Sequence, residues 1–246
     1  MAPIRTSALL LIVVIAFALA ACGGDNSNNA SPASKATTPA AGGAVGAEGT
    51  AGLVGPATSV EDGKEAVIGE GGKMTEDLDR PTDAQKNGVA GGAACAASAA
   101  ANPSASNLTS VTAATICLLN AERSAKGLPP LHLDSKLNTA SKLMAGLMVK
   151  KRFFSHDTPD GRSVVDRVKP TGYIRGNWSL GENIAWGSGA LATPRAIVNG
   201  WMHSKGHREN ILRAKFKDIG IGVKLGAPGP GLSGGATYVT DFGRHS

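Results

Sequence analysis

The sequence predicts an α+β domain over residues 107–246, with helices covering a small antiparallel sheet. Three observations predict it. Two stretches after Leu108 keep apolar residues at three-to-four spacing, the period of a helix with one buried face. Two stretches near the end alternate with period two, the pattern of half-buried strands. The chain before residue 107 has neither period, and it is rich in Gly, Ala, Ser, Asn, Thr and Pro.

The first helix carries Val111, Ala114, Ile116-Cys117-Leu118, Ala121 and Ala125 on one stripe, and Gly127 with Pro129-Pro130 ends it. A second helix has Asp134 or Ser135 as its cap, and Leu137, Ala140, Leu143-Met144 and Leu147-Met148 as its apolar face, up to Arg152. A short helix starts near Ser163, turns Val164, Val165 and Val168 inward and breaks at Pro170. Thr193-Pro194, a cap followed by a first-position proline, opens another through Ala196, Ile197 and Trp201. Asp218 to Leu225 and Ala236 to Phe242 then alternate on either side of a Gly/Pro loop, which predicts an antiparallel hairpin. Gly231-Leu232-Ser233-Gly234-Gly235 in that loop has the spacing of a nucleophile elbow, but a strand follows it where the elbow needs a helix.

The front of the chain reads as an export signal: Arg5, then an apolar run from Ala8 to Ala21. The run falls short of the about 20 residues that a spanning helix needs. It ends in Leu19-Ala20-Ala21-Cys22, which resembles the lipobox of bacterial lipoproteins. On that reading residues 1–21 are removed, and Cys22 carries the acyl chains that anchor the protein to a membrane outside the cytoplasm. Residues 22–106 are then a disordered tether whose role is reach. Charge divides at the same place. Residues 23–106 hold five Lys/Arg against ten Asp/Glu, and residues 107–246 hold nineteen against nine. Outside a cell, a basic domain suits anionic lipid headgroups or wall polymers rather than nucleic acid, or it is simply a soluble face. No second copy of the chain is called for.

Cys95 and Cys117 remain once Cys22 is acylated, and in an oxidising compartment they read as a disulfide tying the end of the tether to the first helix. The alternative is two free buried thiols.

Chemistry-bearing residues concentrate in His156-Asp157-Thr158-Pro159-Asp160-Gly161, Gly181-Glu182-Asn183-Ile184-Ala185 and Trp201-Met202-His203-Ser204-Lys205-Gly206-His207-Arg208-Glu209-Asn210. With Leu119-Asn120-Ala121-Glu122-Arg123 ahead of them and Tyr238-Val239-Thr240-Asp241-Phe242-Gly243 behind, these segments resemble the CAP superfamily of cysteine-rich secretory, antigen 5 and pathogenesis-related 1 proteins, in order and over Leu108 to Gly243. The resemblance implies a three-layer α-β-α sandwich with a shallow cleft at His156, Glu182 and His207. It also implies that the two histidines hold zinc or another divalent cation there. Neutral imidazoles and a carboxylate are donors that suit zinc. Where eukaryotic members place a second glutamate, three residues after a tryptophan, this chain has Ser204 after Trp201. His156 and His207 can equally be structural histidines, and Glu182 can serve to orient one of them. His203 is left out of the site because Lys205-Gly206 is expected to break the helix before His207, while His132 and His245 are expected in solvent.

Three functions follow. The first is an extracellular binding module for a lipid, a wall fragment or a protein. The second is a metal-dependent hydrolase with zinc on His156 and His207 and with Glu182 as the catalytic base. The third is a structural envelope protein.

Overall fold

Short apolar runs along the chain become strands when a neighbour completes their hydrogen bonds, and this decides more of the sheet than local pattern does. The computed structural model describes residues 51–61, 64–69, 72–74, 82, 84, 95 and 98–246. The stretch read as an export signal and Cys22 lie outside the described residues. In chain order the elements are β1 (Gly52–Val54), β2 (Ala57–Glu61), β3 (Lys64–Gly69), β4 (Gly72–Lys73), α1 (Leu108–Ser124), β5 (His132–Leu133), α2 (Ser135–Lys151), α3 (Val164–Val168), β6 (Trp178–Gly187), α4 (Pro194–His203), α5 (Lys205–Ile211), β7 (Asp218–Leu225) and β8 (Ala236–His245).

The sheet runs β3-β2-β6-β8-β7-β5, with β1 paired to both β4 and β6. All of these pairings are antiparallel except β5 with β7. The expected β7–β8 hairpin forms with Ile219 opposite Phe242 and Ile221 opposite Thr240. One expectation is corrected. Residues 52–73 fall inside the span read as a disordered tether, yet they carry four strands, of which β1 and β2 pair with β6. Each is short, and for β1 and β2 the edge of β6 supplies the partner that the local sequence lacks.

Side chains alternate across the sheet and build a core on each face. On one face Ile219, Ile221, Tyr238 and Phe242 pack against Val111, Leu118 and Leu119 of α1, Ile197 and Trp201 of α4 and Ile211 of α5. On the other, Leu180, Ile184 and Val239 pack against Leu137, Ala140, Met144 and Met148 of α2 and Val164 and Val168 of α3. This is the three-layer α-β-α sandwich. The caps match their sequence signals: Asp134 accepts from the Lys136 and Leu137 amides at 2.8 and 2.9 Å, and Thr193 accepts from Ala196. A disulfide joins Cys95 to Cys117 on α1, with Cα atoms 5.7 Å apart.

Candidate functional site

The three residues singled out in the sequence meet at the edge of β6. α2 ends at Arg152, which caps it with a left-handed φ of 56° and turns the chain toward the sheet. The loop that follows carries His156 and is closed by the Gly161 amide donating to the Thr158 carbonyl at 2.8 Å, with Gly161 at φ 79°. His156 Nδ1 donates to Glu182 Oε1 at 2.6 Å. Its Nε2 donates to the main-chain carbonyl of Pro56, in the link between β1 and β2.

Glu182 is wholly buried. Its second oxygen accepts from Arg167 Nη2 at 2.6 Å, and Arg167 Nη1 also donates to the His156 carbonyl at 2.6 Å. Burial pushes the Glu182 carboxyl upward, but the Arg167 guanidinium and the His156 hydrogen bond outweigh it and hold the group well below the usual carboxylate range. Asp241, opposite Glu182 on β8, has the reverse balance. Burial and the Glu182 charge raise it well above its ordinary value, and Ser141 Oγ donates to its Oδ2 at 2.7 Å. Glu182 is therefore the ionised member and Asp241 the neutral one.

His207 comes from the other helix layer. Helix α4 ends at His203 and α5 starts at Lys205, so the break falls at Ser204 and not at Lys205-Gly206 as expected, and it sets His203 in solvent and His207 inside. His207 Nδ1 lies 2.7 Å from Ser204 Oγ. Burial and the neighbouring His156 depress its pKa to about 3, against a smaller upward pull from the Gly55 carbonyl. His207 Nε2 is buried, and the Gly55 carbonyl is the main-chain acceptor that bears on the ring. Behind it Asn210 Nδ2 donates to Asn183 Oδ1 at 2.9 Å, and Asn183 Nδ2 donates to the His207 carbonyl at 3.1 Å, locking α5 to β6. Gly181 permits this approach, since a Cβ there would meet Asn210 Oδ1 at 2.8 Å.

As folded, this donor set does not fit a divalent cation. Both His156 nitrogens face acceptors, which asks for a hydrogen on each and leaves no lone pair for a metal. Both Glu182 oxygens are engaged. Among the described residues no group of three His, Cys, Asp or Glu is arranged to hold an ion. Glu182 orients His156 here, and Ser204 orients His207.

A second feature lies away from this cluster, where α1 and α2 flank β7. Two adjoining grooves of about 600 and 520 Å³ share Lys142 and Lys224 in their walls. Leu143, Leu147 and Val149 line one, Leu108, Leu133 and Val223 the other, and Lys150 completes a rim with no acidic residue among the described ones. Leu133 and Leu143 are 49% and 45% exposed, the exposed large hydrophobic residues among those described.

The sequence model of the CAP family, the cysteine-rich secretory protein family, matches residues 117–240, just over half of the chain. The chain belongs to the cysteine-rich secretory protein family. The match takes in His156, Arg167, Glu182 and His207 of the buried cluster, while Asp241 and Pro56 lie outside it. Two Bacillus subtilis relatives are similar over the same length of chain. YkwD is 40% identical over 105 residues, 43% of this chain and 39% of its own, and the membrane protein YlbC is 30% identical over 106 residues, 43% of this chain and 29% of its own. The chain thus spans well under half the length of these curated relatives. Among solved structures, an extracellular SCP-domain protein of Bacillus anthracis aligns with a TM-score of 0.46 at 24% identity, covering 59% of this chain and 45% of that one. An outer surface protein of Borrelia burgdorferi aligns at 0.43 and 20% identity, covering 52% and 87%.

Sequence reasoning missed three parts of the CAP cluster. Arg167 carries no motif. Asp241 sat in a recognised segment without a role. Pro56 lies 100 residues from His156. Of the other histidines, His132 is exposed as expected, but His245 is half-buried with its ring 4.9 Å from that of Tyr173, a correction to its expected place in solvent.

Proposed function

We propose that this CAP protein is an exported, membrane-tethered binding module that holds an anionic lipid in the groove between α1 and α2. The observation that carries the reading is the lysine-rimmed apolar groove. Its floor exposes leucines that water does not favour, and its rim sets Lys142, Lys150 and Lys224 around them with no carboxylate among the described residues of its walls. An amphiphile with an acyl chain and an anionic head satisfies both halves of that surface. The apolar run before Cys22 supports export and an acyl anchor, which would keep the domain within reach of such lipids. The closed state of the His156–Glu182–Arg167 cluster favours binding over turnover, because neither His156 nor Glu182 has a free polar atom to offer a substrate.

The test is vesicle binding by the unlipidated Cys22→Ser chain at fixed salt. Phosphatidylglycerol vesicles are expected to bind it and phosphatidylcholine vesicles to bind weakly. Leu143→Asp is expected to cost about tenfold in affinity, the equivalent of burying part of one leucine, without lowering Tm. Equal binding to both vesicles, or an unaffected Leu143→Asp variant, would refute the lipid reading.

A further inference from the structure

The outer edge of β6 is covered in two pieces, with a gap between them where chemistry collects. β1 pairs with Ala185–Gly187 and β2 with Ser179–Glu182, both antiparallel. Between them Gly55 keeps one bond to β6 while Pro56 leaves the ladder, and the two carbonyls reach the histidines, Pro56 at His156 and Gly55 at His207. The passage is fitted residue by residue. The Gly55 amide donates to the Ile184 carbonyl at 3.1 Å. A Cβ on Gly55 would lie 2.3 Å from Ile184 Cγ1, so glycine is the residue that fits. Proline next to it has no amide hydrogen to leave unmatched where the ladder stops. Its carbonyl takes the His156 Nε2 hydrogen. Beyond the gap the Thr58 carbonyl accepts from Asn210 Nδ2 at 2.9 Å, and Glu61 pairs with Arg213 and Lys215. Main-chain pairing along a strand edge, one fitted small residue and a charged anchor at the end are what an extended peptide makes when it adds to a sheet.

We infer that the groove along β6 over His156 and His207 is an extended-peptide site, and that residues 51–61 are its occupant in cis. The peptide class follows from the contacts: a strand with a glycine against Ile184, then a proline whose carbonyl meets His156, then an acidic residue near Arg213. The cis occupant seals the site, leaving His156 6% exposed and His207 and Glu182 wholly buried. The protein is thus closed by its own strand, and an exchange of strands opens it to another. This inference does not depend on the lipid groove, which lies elsewhere.

The experiment uses the full unlipidated chain and a fluorescein-labelled peptide of sequence 51–61. Diethyl pyrocarbonate labelling read by mass spectrometry reports which histidines are covered. In the unsubstituted chain His132 and His203 should label while His156 and His207 do not, and the peptide should not bind. Gly55→Val removes the fit to Ile184, and Glu61→Arg turns the anchor into a repulsion that leaves the core untouched. Either variant should expose both histidines, bind the peptide and be protected again by it, with a peptide carrying valine at the Gly55 position at least tenfold weaker. Near-ultraviolet circular dichroism confirms the fold, and Glu61→Arg serves alone if Gly55→Val does not fold. Labelling of His156 and His207 at the His132 rate in the unsubstituted chain overturns the inference. So does protection that persists in both variants, or a peptide that leaves the exposed histidines unprotected.

Discussion

Ser204 stands where the family resemblance leads one to expect a second acid, and its hydroxyl holds His207 Nδ1 at 2.7 Å. A neutral oxygen there adds no charge to favour an imidazolium, and with burial the ring stays neutral well below its ordinary value of 6.5, down to about 3. The unfolded chain takes up the proton below about 6.5 and the folded chain does not. Its contribution to stability is therefore complete above pH 6.5 and is lost as pH falls toward 3. Asp241 acts in the opposite sense, since its raised pKa weakens the fold as pH rises above its ordinary 3.8. The informative quantity is the difference between the native chain and His207→Gln, in which the Asp241 contribution cancels. Urea unfolding at several pH values should show that difference shrinking below pH 6.5, by up to about 1.4 kcal/mol per pH unit. A difference that stays constant from pH 7 to 3 would mean that His207 is not held neutral by the fold.

At the scale of elements, α1 was legible because its apolar stripe repeats at helical spacing, but the purpose of its last turn was not. Asn120 brackets Leu131, accepting from its amide at 2.8 Å and donating to its carbonyl at 3.1 Å. Arg123, wholly buried, donates to the carbonyls of Pro129, Ile211, Arg213 and Phe216, and so ties α1 to the turn between α5 and β7. The motif that resembles the family signature at this point is structural. β6 was recognised as a motif and not as a strand, because nearly all its residues are buried and its pattern does not alternate. β7 did alternate, and its glycines have a function that periodicity does not show. A Cβ at Gly222 would lie 2.2 Å from the Ser141 carbonyl oxygen, since α2 rests directly on the sheet there. Gly222→Ala is expected to destabilise the domain by about 2 kcal/mol or more, because helix backbone, unlike a side chain tip, has no rotamer to move into. A thermal midpoint unchanged within a degree would show that α2 sits further from β7.

For the whole molecule, the disulfide is a cross-link that ties Cys95, ahead of α1, to Cys117 on that helix. Cys95 and Cys117 are 22 residues apart in sequence, and closing a loop of that size stabilises by about 3 kcal/mol in the chain-entropy picture. The Cys95→Ala, Cys117→Ala double variant is expected to lose about that much, measured by denaturant unfolding under non-reducing conditions. Loss of less than about 0.5 kcal/mol would indicate an unfolded state already held compact in that region. The uneven charge, acidic before residue 107 and basic after it, also belongs to this scale, since Glu61 from the acidic part pairs with Arg213 and Lys215 in the basic part.

The sequence by itself determined the identity and order of α1, α2, α3, α4 and the β7–β8 hairpin, and it marked His156, Glu182 and His207. Periodicity, caps and short motifs are local, so they can be read without coordinates. Only the tertiary structure decided that Arg167 and His156 share Glu182, that Asp241 is its neutral neighbour, and that Gly55 and Pro56 lie over the histidines. Those contacts join residues 15 to 152 positions apart, and a pairing over that distance leaves no mark on the periodicity of either segment. The same reason explains β1 and β2. Three and five residues make a strand only when another strand offers its edge, and that offer comes from β6, more than a hundred residues further along the chain.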